Sequence, residues 1–192
     1  MTGNKLENEI LGVFSSNIYA MLSINQISKK LNRAYPYINS KVNELIEDGI
    51  LDKIQIGHSY QCSINFSNEK AVALLTLNDV EKKNETLHKL KSHNRLLEDL
   101  LSIRKEFKII TILLKGKSLF FILDYLHDQE AIKNLYPGLK EYDLVFYDKK
   151  SFQQYLLHNK SKIYDFSVLY SHEKYFEILG EIKDQMIFKN LK

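Results

Sequence analysis

At Gly49 the hydrophobic pattern of this chain changes period, and that change most restricts what the segment before residue 66 can build. Ahead of it, Ile38, Val42, Leu45 and Ile46 recur at i, i+4, i+7 and i+8, the spacing of one helix face. Pro36 suits the first turn of that helix, where its missing N–H would be unpaired anyway. Gly49 suits its end, because glycine enters the left-handed region without steric cost. Beyond Gly49 the period is two: Ile50 with Lys53-Ile54-Gln55-Ile56, then Tyr60-Gln61-Cys62-Ser63-Ile64. These read as two short strands around a Gly57-His58-Ser59 turn. Upstream, Ser23 and Gln26 have capping-box spacing, and Ile24, Ile27 and Leu31 line a second helix. Asn4 and Glu7 cap a first helix carrying Ile10, Leu11 and Phe14. The order is helix, helix, helix, hairpin.

The whole chain has 192 residues, 44% hydrophobic and 27% charged, the composition of a globular protein. Its length suits one medium domain or two small ones. The net charge of +3, from 27 basic and 24 acidic residues, excludes a protein that holds polyanions by bulk charge. Cys62 is the single cysteine, so an intramolecular disulfide and a Cys-rich zinc site are excluded, and a reducing cytoplasm is expected. The N-terminal residues carry no apolar core of a signal peptide. The longest apolar stretches, such as Ile109 to Leu114, are far short of the ~20 residues of a membrane span. A cytoplasmic protein with no membrane partner is expected.

Residues 66–77 read as a further helix and 79–105 as a long charged one, with Leu87, Leu90, Leu97 and Leu101 on a stripe that Asn94 completes. This stripe spans about two heptads, too few for a safe coiled coil, and packing against a sheet is the expected use. Beyond lie strands at 107–115 and 118–125, a helix at 128–136, a strand at 142–147, a helix at 149–158, a strand at 166–170 and a helix at 172–188. The expected fold class is α+β, with domains at 1–78 and 106–192 joined by the 79–105 helix.

The stretch Ile27-Ser28-Lys29-Lys30-Leu31, the turn, Ile38, Val42-Asn43-Glu44-Leu45 and Glu47-Asp48-Gly49-Ile50-Leu51 resembles the winged helix-turn-helix family of DNA-binding domains over about residues 5–65. That family usually has glycine after the leucine; Asn32 stands here and tolerates the left-handed conformation. The resemblance implies a third helix whose outer face, Tyr35, Tyr37, Asn39, Ser40 and Lys41, enters the major groove. Asn39 would pair with adenine and Lys41 with guanine or a phosphate. Lys29, Lys30 and Arg33 would meet the backbone. His58 and Ser59 would belong to the wing. Double-stranded DNA is the implied partner, bound by a homodimer. Residues 1–80 nevertheless carry seven basic and eight acidic side chains, net −1, whereas the remaining 112 carry 20 and 16, net +4. Binding must therefore rest on a few placed residues.

The remaining chain, with Val168-Leu169-Tyr170-Ser171-His172-Glu173 running into a closing helix, resembles the minimal nucleotidyltransferase fold. That family needs a Gly-Ser loop for the triphosphate and paired carboxylates for two metal ions. Here Lys115-Gly116-Lys117-Ser118 is followed by no such loop, and Leu119 and Phe121 occupy the positions of the paired acids. Asp143 and Asp124 are lone carboxylates. The resemblance therefore implies a pseudoenzyme with no metal site and no cofactor. His88 and His93, five apart, do not share a helix face. The expected function is transcriptional regulation, the C-terminal domain serving dimerisation or the sensing of a small-molecule or protein effector. A protein-interaction adaptor and an active nucleotidyltransferase are the alternatives.

Overall fold

The computed structural model describes residues 4–15, 17, 19–57, 59–88, 93–159 and 166–190. The chain divides into two compact units, residues 1–78 with 183–192, and residues 79–182. An N-terminal helical region and a C-terminal mixed α/β region make it an α+β protein. Among the described residues no helix is long and apolar enough to cross a membrane.

The first unit contains α1 (Asn4–Ser15), α2 (Ile24–Leu31), α3 (Tyr35–Glu47), β1 (Leu51–Ile56), β2 (Ser59–Ile64) and the start of α4 (Glu69–His88). Ser23 caps α2 as its spacing predicts: its Oγ accepts from the Gln26 N–H at 3.3 Å, and Gln26 Oε1 accepts from the Ser23 N–H at 2.8 Å. Ile10, Leu11, Phe14, Ile27, Ile38, Val42 and Leu45 are all fully buried. Helix α3 ends at Gly49, whose φ of +70° lets Ile50 N–H return to the Leu45 carbonyl at 2.9 Å. The chain then leaves directly into the antiparallel β1–β2 hairpin, in the register Leu51↔Ile64 to Ile56↔Ser59. Leu22 adds an isolated bridge to Cys62, trading N–H and carbonyl at 2.8 and 2.9 Å. Cys62 is buried against this bridge, and burial raises its thiol pKa. Burial is confined to the base of the hairpin. Toward its tip Ile56 and Tyr60 are exposed.

The second unit contains the rest of α4, α5 (His93–Glu106), β3 (Ile109–Lys115), β4 (Ser118–Leu123), α6 (Gln129–Leu135), β5 (Asp143–Asp148), α7 (Lys149–His158), β6 (Ser167–Tyr170) and the start of α8 (His172–Asn190). The four-stranded sheet has the order β5-β4-β3-β6. The β3–β4 and β3–β6 pairs are antiparallel, and β4–β5 is parallel across the α6 crossover. Ile112, Leu114, Leu119 and Phe121 share a core with Leu96, Leu100 and Ile103 of α5. Phe120 stacks instead among Tyr147, Tyr155 and Phe166, the last at 5.0 Å edge-on. With both sheet faces covered, β3 and β4 are near-continuous apolar runs rather than alternating ones.

Two expectations change. The helices placed at 66–77 and 79–105 are not separated near residue 78: α4 runs unbroken from Glu69 to His88, and α5 is described from His93 onward, with 89–92 outside the described residues. Residues 78–84 include neither glycine nor proline, so nothing local stops the helix there. Of the expected Leu97/Leu101 stripe, Leu97 is partly buried against the sheet core but Leu101 is exposed, and the fully packed face is Leu96, Leu100 and Ile103. Leu90 lies outside the described residues, as does the Leu87 side chain.

Candidate nucleic-acid interface

The turn between α2 and α3 decides which α3 face is offered to solvent. Asn32 ends α2 at φ 49°, ψ 47°, the left-handed conformation in which asparagine replaces glycine most readily. Ser28 Oγ donates to the Arg33 carbonyl at 2.6 Å, and the Arg33 N–H donates back to the Ser28 carbonyl at 3.1 Å. Helix α3 then opens at Tyr35, with Pro36 in its first turn and no side-chain cap at Ala34. Ile38, Val42 and Leu45 point inward. At 100° per residue the opposite ridge is Pro36, Ser40, Asn43 and Glu47.

Tyr35 and Tyr37 are 48% and 57% exposed on the first turn, where a groove-reading helix carries its contact residues. Ser40 is exposed; Asn39 and Lys41 are half-buried. Two residues apart means about 200° around the helix, so Asn39 and Lys41 occupy opposite flanks of the Ser40 ridge. Lys29 and Lys30 are exposed in the last turn of α2 and have no carboxylate partner among the described residues. Ser59 opens β2 rather than sitting in the turn, and its Oγ donates to the Ile56 carbonyl at 3.2 Å. His58 lies outside the described residues.

The remaining two cations are already engaged. Arg33 Nε and Nη2 each donate to a different oxygen of Glu9 at 3.0 Å. Lys41 Nζ lies 2.7 Å from Glu44 Oε1. The Lys41–Glu44 pair was legible from its i, i+3 spacing; Glu9 carried no sequence signal. A further element is the hairpin pair Lys53 and Tyr60, with the ammonium 4.3 Å from the ring centroid.

In the second unit Leu119 and Phe121 are fully buried in the sheet core. Asp143 lies beside Ser118 at one end of the parallel pair, while Asp124 follows Leu123 at the other. At ~3.3 Å per residue the two carboxylates are roughly 20 Å apart. Asp124 instead shares an open cavity of about 610 Å³ with Asp148, Lys150 and Gln154. Asp148 is committed as the cap of α7, its Oδ1 accepting from the Ser151 N–H at 2.7 Å. Among the described residues no three His, Cys, Asp or Glu side chains are grouped to hold a metal ion.

No protein-family model matches the sequence, and no curated protein matches it. Among solved structures the chain is similar to MepR, a transcription regulator of the Staphylococcus aureus multidrug efflux pump MepA. The identity is 16% and the TM-score 0.37, over 53% of this chain and 76% of that one.

Proposed function

We propose that this protein is a sequence-specific DNA-binding transcriptional regulator. In this reading the first unit is a winged helix-turn-helix domain acting as a homodimer in the cytoplasm. The second unit is a nucleotidyltransferase-like domain without catalysis, used for dimerisation or for sensing an effector. The observation that carries the reading is the division of α3: Ile38, Val42 and Leu45 are fully buried, while Tyr35, Tyr37 and Ser40 stand exposed after a left-handed turn. That division supports presentation of the helix to a groove, with Lys29 and Lys30 beside it for phosphates. Loss of catalysis is supported by the burial of Leu119 and Phe121 and by the separation of Asp124 from Asp143, because two-metal chemistry needs carboxylates within one ion's reach.

The test is selection of bound duplexes from a random pool, with the solution mass measured alongside. An enriched motif is expected, with binding that weakens steeply with salt and drops on Lys29→Glu or Lys41→Glu. Binding unchanged in both variants would remove the assigned face. A second reading, a protein-docking module, is favoured by one observation: the first 80 residues are net −1 and two of the four face cations are already paired. Co-purification with a protein partner and no retention of DNA at low salt would select it.

A further inference from the structure

We propose that Glu9 and Glu44 are built-in competitors for the DNA phosphates, lowering non-specific affinity so that recognition depends on base contacts. This inference rests on the DNA-binding reading above. Four cations border the exposed side of α2 and α3, and two of them face carboxylates of the same unit. Glu9 takes Arg33 at Nε and Nη2 together, the fork through which a guanidinium grips a phosphate. Those N–H groups cannot serve Glu9 and a phosphate at once. Glu44 meets Lys41 from the more exposed side of the pair: its side chain is 57% exposed and that of Lys41 16%. A phosphate approaching Lys41 therefore meets a carboxylate of its own sign.

Both pairs are at least partly solvated, and such pairs are weak enough to open. Exchange of carboxylate for phosphate is feasible, but the displaced negative charge stays beside the newcomer. Non-specific affinity comes almost wholly from cation–phosphate contacts with counterion release. It is thus taxed most by these two acids. A cognate duplex adds shape readout and contacts to the uncharged Tyr35, Tyr37, Asn39 and Ser40, which the acids do not oppose. The near-neutral charge of residues 1–80 then serves discrimination.

The experiment uses the full chain and two duplexes of equal length, the selected motif and a scrambled one, titrated by fluorescence anisotropy over a salt series. The variants are Glu9→Gln, Glu44→Gln, their double, and Lys29→Glu as a control. Each glutamine change should tighten binding to the scrambled duplex by about three-fold at low salt. It should also steepen the log–log salt slope by up to about 0.9, the increment for one phosphate contact. The preference for the selected motif should fall, most in the double variant. Equal or weaker binding in folded Glu44→Gln overturns the proposal, because Glu44 would then accept from a base or merely brace α3. The same result in folded Glu9→Gln would make Glu9 a positioning residue for Arg33. If the wild type binds and Lys29→Glu weakens it while neither glutamine variant tightens, this inference fails and the DNA reading stands. If neither the wild type nor the double variant binds duplex at the lowest salt, the DNA reading itself fails. Wild-type binding to the selected motif alone, with binding to the scrambled duplex appearing only in the double variant, is the proposal in its strongest form.

Discussion

Arg33 and Glu9, 24 positions apart, meet in a two-point ion pair that ties α1 to the turn between α2 and α3. The side chains are 42% and 27% exposed. A double-mutant cycle with Arg33→Ala and Glu9→Ala should therefore give a coupling energy of only about 0.5–1 kcal/mol. That coupling should shrink in high salt as the pair is screened. Urea unfolding of the four proteins measures it, and a coupling well above that range would show that the pair braces the turn rather than decorating it.

Asn32 holds a positive φ at the turn on which the α3 face depends. Asn32→Gly should be nearly neutral or slightly stabilising. Asn32→Ala should cost about 1 kcal/mol, because an L-residue with a Cβ is strained there and alanine has no polar side chain to bond locally. Comparing the two thermal midpoints separates backbone conformation from any lost side-chain contact.

Lys183 is a buried cation, 6% exposed, grouped with the first unit. Its ammonium donates to Asp52 Oδ2 at 2.8 Å and makes a short bond to the Ile64 carbonyl. Lys183→Met keeps the apolar stem and removes both bonds. The loss should be about 2 kcal/mol, less than for a fully buried pair because Asp52 stays 40% exposed. A midpoint shift within error would mean that water replaces the ammonium.

Tyr136 shows how one side chain makes stability depend on pH. Burial, with a 2.7 Å hydrogen bond to Glu106, pushes its phenol up to about 12 from the usual 10. Because the folded form keeps its proton where the unfolded form has lost it, the contribution is complete below pH ~10 and is lost as pH rises through ~12. Tyrosinate absorbance should show a late titration that loses one tyrosine in Tyr136→Phe, while Tyr147, which burial also pushes up, still titrates late. The variant's stability should also fall less steeply over that window.

Phe121 and Asp124 lie three residues apart with opposite expected consequences. Phe121 is fully buried and stacks on Phe146 at 5.3 Å between centroids, so Phe121→Ala should cost about 3–5 kcal/mol. Asp124 is exposed, and Asp124→Ala should change stability by no more than about 0.5 kcal/mol. Denaturant midpoints check both. A large loss at Asp124 would point to a structural role for the cavity it lines.

Much of the local architecture was legible. The Ser23–Gln26 box, the left-handed Asn32 and the Gly49 stop each act within a few residues of themselves, so their signals are complete in the sequence. The α5 face was not. Leucines stand in adjacent pairs, Leu96-Leu97 and Leu100-Leu101, and either member satisfies the i, i+4 spacing. Only the position of the sheet chooses Leu96 and Leu100. The Leu22–Cys62 bridge was equally hidden, because a single extended residue has no period to detect.

The sequence by itself determined the order of elements, the helix caps and the inward residues of α3, because propensity, capping and period are short-range properties of the chain. The tertiary structure decided which cations of the candidate interface are free. Lys29 and Lys30 are unpaired among the described residues because no acid returns to them, and Arg33 is taken because α1 brings Glu9 alongside. Charge pairing falls off within a few ångströms of water. It therefore depends on where distant segments meet, which composition does not encode.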